Sequence, residues 1–235
     1  MIDFHAHVLP GMDDGSRDVE ESLAMLHAAA QQGIHCIAAT SHFYPTDEDP
    51  ARFLRRRAEA YAYLADAVAR DPAACPRIVL GAEVYYFNGI GSVDAVETLR
   101  IEGTPFLLVE MPFSRWTDGM VAELLRLQGK AGTRIVLAHI ERYLKYQDRD
   151  VWDELQSVGI LMQSNAEFFL DWMTRRKALK MLKSGFIDFL GSDCHNIRSR
   201  PQRMGEALRA IGPEGQAILE DNVRRWTPGL ADPAT

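Results

Sequence analysis

The chain begins MIDFHAH (Met1–His7), a brief apolar run closed by two histidines with one residue between them. Read as a β-strand, the run turns His5 and His7 to the same side, where both rings can grip one cation. The same order, an apolar run and then a metal-binding residue type, returns along the chain. CIAAT leads to His42, RIVLGA to Glu83, FLLVE to its own Glu110, RIVLAH to its own His139, and FIDFLG to Asp193 and His195. With IDF and ILMQ these make seven strand candidates. Their mostly unalternating apolar character suits parallel strands buried on both faces.

Helical spacing fills the intervals. In DVEESLAMLHAAAQQG, Val19, Leu23, Leu26 and Ala30 recur on one face, Asp18 can cap the start, and Gly33 can end the helix. From Pro50 to Arg70 the face reads Leu54, Ala58, Tyr61, Ala65 and Val68. Further helices are expected near 118–130, 150–158, 174–183 and from Pro201 past Ile211. Strands alternating with helices over this length predict an α/β fold, a distorted seven-stranded (β/α)7 relative of the eight-stranded barrel. An open doubly wound sheet competes, but no strand is followed by a glycine-rich dinucleotide fingerprint. Residues 1–226 read as one domain and 227–235 as a flexible tail.

In a parallel barrel the active site lies at the carboxyl ends of the strands, so the scattered ligand types would converge on one mouth. Asp14, in the loop LPGMDDG, is near enough in sequence to join them. A lone histidine is usually structural or solvated, and His27 and His35 are read that way. Glu83 and Glu110 are harder to dismiss, because an unpaired carboxylate at the end of an apolar strand is expensive to bury. The nine residues His5, His7, Asp14, His42, Glu83, Glu110, His139, Asp193 and His195 exceed the needs of one ion. Two to three divalent ions are expected. Mixed imidazole and carboxylate ligation suits manganese, iron or zinc better than calcium.

Composition removes other classes. Against 26 basic residues stand 33 acidic ones, for a formal charge of -7, which disfavours a nucleic-acid or anionic-membrane surface. Three widely spaced cysteines, Cys36, Cys75 and Cys194, fit a reducing compartment rather than a disulfide framework. No apolar run is long enough to cross a bilayer, so the expected location is cytoplasmic without membrane insertion.

GSDCHNIRSR (Gly191–Arg200) supports two incompatible chemistries. Cys194 and Arg200 have the spacing of a thiol phosphatase, in which a thiolate attacks phosphorus and an arginine holds the phosphate. Asp193 and His195, flanking the cysteine, have the spacing of metal ligands. A thiol loop that turns its amides onto phosphate normally uses small residues, whereas HNIRS contains no glycine, so the metal reading is preferred.

Together the HAH run, His42, Glu83, His139 and Asp193-Cys194-His195 resemble the polymerase and histidinol phosphatase family, metal-dependent phosphoesterases on a distorted seven-stranded barrel. MIDFHAHVLPGMDDGSRDVEESLAML, LGAEVYY, VEMPF, AHIERY and GSDCHNIRSRP resemble, in order, its bacterial manganese-dependent tyrosine phosphatases of capsule and exopolysaccharide gene clusters. Ile140 stands where that branch usually has proline, and TSHF replaces its TPH around His42.

The resemblance implies three ion sites. His5, His7, Glu83 and Asp193 would serve the first, Glu83, Glu110 and His139 the second, and Asp14, His42 and His195 the third, with Glu83 as bridge. It also implies hydrolysis of phosphotyrosine by a metal-held hydroxide. The partner would be a phosphotyrosine protein, the tail of a bacterial tyrosine kinase that regulates polysaccharide assembly. Arg142 and Arg200, with Arg203 in reserve, are the expected phosphate binders, since a guanidinium fork matches phosphate oxygens. Phe43, Tyr44, Tyr85, Tyr86, Phe113 and Trp116 follow ligand-bearing strands and are candidates to wall the phosphotyrosine ring. The run RFLRRR (Arg52–Arg57) reads as a solvated helix face before an acidic-peptide site. A histidinol phosphatase or other small-molecule phosphoesterase, a nuclease, and a non-catalytic metal-binding regulator are the alternatives.

Overall fold

The structure is a computed structural model that describes residues 1–70 and 72–231. Its strands are β1 (Ile2–Ala6), β2 (Cys36–Ala39), β3 (His42–Phe43), β4 (Arg77–Leu80), β5 (Glu83–Tyr85), β6 (Phe106–Glu110), β7 (Arg134–Leu137), β8 (Leu161–Asn165) and β9 (Phe189–Gly191). The helices are α1 (Val19–Gln31), α2 (Pro50–Val68), α3 (Asp118–Leu127), α4 (Arg149–Ser157), α5 (Arg175–Lys183), α6 (Met204–Trp226) and α7 (Pro228–Ala231). Every strand pairing is parallel, in the orders β1-β2-β4 and β3-β5-β6-β7-β8-β9.

The seven runs read from the sequence become nine segments because CIAAT and RIVLGA, which form β2 and β4, are each followed by a second short strand, β3 and β5. Hydrogen bonding crosses both breaks, with Gly81 N–H donating to Ala39 O at 2.9 Å and Glu83 N–H to Ser41 O at 3.1 Å. At the far side β9 returns to β1. Asp193 N–H donates to His5 O at 2.7 Å and His7 N–H to Cys194 O at 2.9 Å. The protein is thus an α/β fold around a curled parallel sheet.

Strand pleating divides the core. Ile2, Phe4, Cys36, Ala38, Phe106, Leu108, Val136 and Phe189 form one buried set, in which the Phe4 and Phe189 rings stack at 4.0 Å. Alternate residues such as Ile37, Leu107, Val109, Ile135 and Leu137 pack in a second set with the helices. Ridges of branched side chains on both faces explain why the strands show no polar alternation.

Helix signals are used as expected at the starts: the Asp18 carboxylate accepts from Glu21 N–H, and Pro50 opens α2 behind the cap Asp49. The buried face of α2, however, lies one residue away from the reading. In α2 the fully buried residues are Phe53, Arg57, Ala60 and Leu64, while Leu54, Tyr61 and Val68 of the expected row pack partly buried against the core; in α1 Leu26 is buried as expected, beside Met25 and Ala29, with Val19 and Leu23 partly buried. Arg57 disguises the true face of α2, since its aliphatic stem is buried while its guanidinium donates to Gly81 O at 2.9 Å.

The expected flexible tail is corrected in part, because Pro228–Ala231 forms α7 and buries Leu230. Residues 232–235 lie outside the described residues.

Candidate metal centre

Irregular backbone puts the first ligands in position. The register of β1 on β2 shifts between Asp3 and Ala6, so Ile2 and Phe4 join one core set while Ala6 joins the other. That slip turns His5 and His7 into the space above the sheet. His139 and Asp193 follow β7 and β9 with left-handed backbone, φ 34° and 52°. Non-glycine residues hold this conformation at a cost of about 1–3 kcal/mol, and such strain concentrates at functional sites. Glycines admit the approach: a Cβ on Gly191 would lie 2.6 Å from His5 Cβ, and one on Gly15 would lie 2.4 Å from His7 Cβ.

Each ring is oriented from behind. The His5 Nδ1–H donates to Gln163 Oε1 at 3.2 Å, the His7 Nδ1–H to Asp13 Oδ2 at 2.7 Å, and the His195 Nδ1–H to Asp193 O at 2.9 Å. Nε2 of each ring is thereby the position turned to the carboxylates, where a cation would stand in place of a proton. His5 Nε2 and His7 Nε2 are 3.1 Å apart, with Glu83 Oε2 at 3.1 and 3.4 Å and Asp193 Oδ1 at 3.6 and 3.5 Å from them.

Glu83 is central and fully buried. Its Oε1 lies 2.8 Å from His139 Nε2 and its Oε2 3.0 Å from His42 Nδ1, while Glu110 approaches the same rings at 3.4 and 4.0 Å. On the outer side Asp14 Oδ1 lies 3.5 Å from His42 Nε2 and 3.3 Å from His195 Nε2, and donor atoms of His7 join this group. All nine residues read as ligands from the sequence therefore meet in one cluster. Two differences from the implied grouping appear: His7 also reaches the outer group, and His42 also reaches Glu83 and Glu110.

The donor set fits divalent cations. His42 Nδ1, Glu83 Oε2 and His195 Nε2 are buried without a hydrogen-bond partner among the described residues, which is costly unless a ligand completes them. Ligands about 2.1 Å from one ion stand about 3.0–3.4 Å apart, near the separations around His5 and His7.

Electrostatics favour the same outcome. Burial opposes ionisation of Glu83 and Asp193, yet the His5 charge and contacts from the other histidines hold both carboxyls well below their usual range. Burial also opposes charging of His139, but hydrogen bonds from its ring to Glu110 and Glu83 raise it to about 9. Burial and the facing His7 pull His195 down to about 4. A cation would replace the His139 proton and meet His195 already neutral.

The arginines divide. Arg142 donates to Asp193 Oδ2 at 2.6 Å, and Arg200 lies 2.8 Å from Asp193 Oδ1, so both stand at the centre, each 37% exposed. Arg203 instead pairs with Glu206, outside it. Of the aromatic candidates, Tyr44 stacks on the His42 ring at 5.2 Å, Tyr85 lies beside Tyr44, and Phe113 lies 5.8 Å from the His139 ring. Phe43, Tyr86 and Trp116 are buried in the core and wall nothing. RFLRRR is structural too: Arg52 and Arg56 pair with Glu48, Arg56 also donates to Met12 O, and Arg57 is buried.

Cys194 is 1% exposed, and burial pushes its thiol up to about 12. The amides of Arg198, Ser199 and Arg200 all donate to Asn196 Oδ1, so they form no phosphate cradle. The thiol reading of GSDCHNIRSR has no structural basis.

Several orienting groups escaped the sequence reading. Asp13, next to Asp14, also accepts from His42 N–H at 2.8 Å. Gln163 Oε1 accepts from both His5 and His139 N–H, Asn165 donates to Asp193 Oδ2, and the Tyr143 hydroxyl lies 3.2 Å from His139 Nδ1. The one visible signal was polarity at the end of apolar runs, as in ILMQSN.

Known proteins of similar sequence and structure include metal-dependent phosphatases. The tyrosine-protein phosphatase CpsB of Streptococcus agalactiae serotype III is 27% identical over 238 residues, 90% of this chain and 89% of that protein. The tyrosine-protein phosphatase CpsB of Streptococcus pneumoniae is 29% identical over 253 residues, 96% and 97% of the two chains. A chain from the crystal structures of YwqE from Bacillus subtilis and CpsB from Streptococcus pneumoniae, described as unique metal-dependent tyrosine phosphatases, superposes with a TM-score of 0.82. It is 26% identical, and the match covers 97% of this chain and 94% of that one. Residues 1–221 match the family described as "Capsular polysaccharide synthesis, CpsB/CapC", and the chain belongs to that family.

Proposed function

We propose that the protein is a metal-dependent protein-tyrosine phosphatase, a phosphoric monoester hydrolase acting in capsular or extracellular polysaccharide synthesis. The observation that carries this reading is the group of three unpartnered buried atoms, His42 Nδ1, Glu83 Oε2 and His195 Nε2, facing a ring of carboxylates. His5, His7, Asp14, His42, Glu83, Glu110, His139, Asp193 and His195 would hold two to three ions, manganese first and iron or zinc otherwise. Such ions supply positive charge to the phosphoryl oxygens and bring the pKa of water toward neutrality.

The chain's own groups do the rest. Asp13, Gln163 and Asp193 O fix the rings of His7, His5 and His195 from behind. Arg142 and Arg200 stand at the exposed side of Asp193, where each guanidinium can turn its free N–H groups to the phosphate. Tyr44 and Phe113, on opposite flanks, can wall a phenyl ring. The substrate is read as a phosphotyrosine protein, the tail of a bacterial tyrosine kinase. The setting is read as cytoplasmic, with 1–226 as one domain on a distorted seven-stave barrel. No helix among the described residues is long and apolar enough to cross a membrane.

The test compares phosphotyrosine peptides, p-nitrophenyl phosphate and histidinol phosphate as substrates of chelator-stripped protein with and without added manganese. Manganese-dependent hydrolysis of the peptides and the aryl phosphate is expected. Preference for histidinol phosphate would favour the small-molecule alternative, and no hydrolysis at full metal content would favour a non-catalytic regulator.

A further inference from the structure

Beside the metal centre lies a cavity of about 470 Å³ between the loop after β7 and the segment from β8 into α5. Phe113, Tyr146 and Phe168 give it apolar walls, Arg142 borders the centre, and Lys145 and Lys177 stand at its exposed side. Its size falls within the usual range for ligand sites, about 300–1,000 Å³.

Two of its residues belong to both places. Arg142 binds Asp193, and Phe113 has its ring 5.8 Å from the His139 ring and 5.7 Å from the Arg142 guanidinium carbon. A chain whose phosphotyrosine entered the centre past Phe113 would bring its neighbouring residues over this cavity, since an extended chain advances only about 3.3–3.6 Å per residue.

The charges are arranged for an anion. Lys145 Nζ sits 4.7 Å over the Tyr146 ring, and neither Lys145 nor Lys177 has a carboxylate partner among the described residues. Lys183, farther along α5, is by contrast paired with Glu214. The one acid of the lining, Glu141, is turned inward, where its carboxylate accepts from the Ser164 hydroxyl and Asn165 N–H. Two ammonium groups without a carboxylate partner, in a cavity with aromatic walls, suit a side chain with an apolar body and an anionic end.

We infer that this cavity is a specificity subsite that takes an anionic side chain flanking the phosphotyrosine, either a carboxylate or a second phosphate. The inference rests on the phosphatase reading and adds the class of sequence on which the enzyme acts. Binding here acts on the recruitment of peptide, so it lowers KM without changing the chemical step.

The test uses the full, manganese-loaded chain. Three peptides share one phosphotyrosine and differ in the flanking residue: alanine, glutamate or a second phosphotyrosine. Wild-type protein is expected to show a KM roughly five-fold lower for at least one anionic peptide than for the alanine peptide, as two exposed charge pairs allow. The double variant Lys145→Ala, Lys177→Ala is expected to lose that gap while keeping kcat and its turnover of p-nitrophenyl phosphate. Which anionic peptide shows the gap identifies the source of the charge. No gap in the wild type, a gap that survives in the variant, or an equal loss on every substrate would overturn the subsite alone. If the wild type hydrolysed p-nitrophenyl phosphate but no phosphotyrosine peptide, the protein-tyrosine reading of the substrate would fall, and the subsite with it.

Discussion

Cys194 separates two side chains that reach the metal centre and is itself sealed off, with its thiol held in the neutral form. Cys194→Ser is therefore expected to keep most aryl-phosphatase activity, whereas Asp193→Ala or His195→Ala should lower it at least about 100-fold, as losing a ligand or orienting partner does. A serine variant that is inactive at full metal content would reinstate the thiol. A second residue, Asp188, bears on pH. Burial raises its carboxyl to about 6 against the help of Met162 N–H and Arg225. Because the folded pKa lies above the unfolded one, Asp188 stabilises the fold below about pH 4 and loses that contribution as pH rises through 6. Asp188→Asn should keep the hydrogen bond from Met162 and gain on the order of 1–3 kcal/mol over the wild type at pH 7.5, with little gain at pH 4. Urea unfolding at the two pH values checks this, and equal differences would exclude titration of Asp188 as the cause. At this scale the nine residues that meet in the cluster were legible because imidazoles and carboxylates are conspicuous after apolar runs. Asp13 and Gln163 were not, because a group that supports a ring from behind follows no spacing.

At the scale of elements, the sequence conveyed the alternation of strands and helices and missed their irregularities. The break in CIAATSHF falls at Thr40-Ser41, whose small polar side chains are buried like their apolar neighbours and whose backbone keeps its hydrogen bonds, so the run still reads as one strand. The face of α2 was misjudged by one residue because buried Arg57 reads as solvent-facing. The slip in β1 and the left-handed backbone at His139 and Asp193 are equally silent, and they re-aim ligands that a regular strand would send elsewhere. Close contact between elements can be tested at β9. Gly191→Ala would place a methyl 2.6 Å from His5 Cβ and 2.7 Å from Gln163 Nε2, forcing β1 or β8 aside. The expected result is a loss of about 1–3 kcal/mol in stability together with metal affinity weakened at least about 10-fold. Denaturation and metal titration measure the two effects, and unaltered metal affinity would mean that His5 tolerates the shift.

At the scale of the molecule, the centre is a clustering of negative charge that needs cations to balance it. Chelator treatment should lower the melting temperature by about 5–10 °C, the shift expected when ligand at about 100 times its Kd is removed from a chain of this size. Manganese should restore it. A melting temperature indifferent to both, with metal content changing as intended, would mean that the ions contribute nothing to the fold. The closure of β9 on β1 carries a further consequence, one that concerns synthesis. His5 and His7 are made well before their strand partners, since the carbonyl of His5 accepts from Ser192 and Asp193 and the amide of His7 donates to Cys194. The ring therefore cannot close until residues 193 and 194 have emerged, and contacts of such long separation form slowly. Fragments from interrupted translation would carry several ligands but no complete centre. The closing edge of β1 thus stays unpaired until β9 and the residues after it are in place.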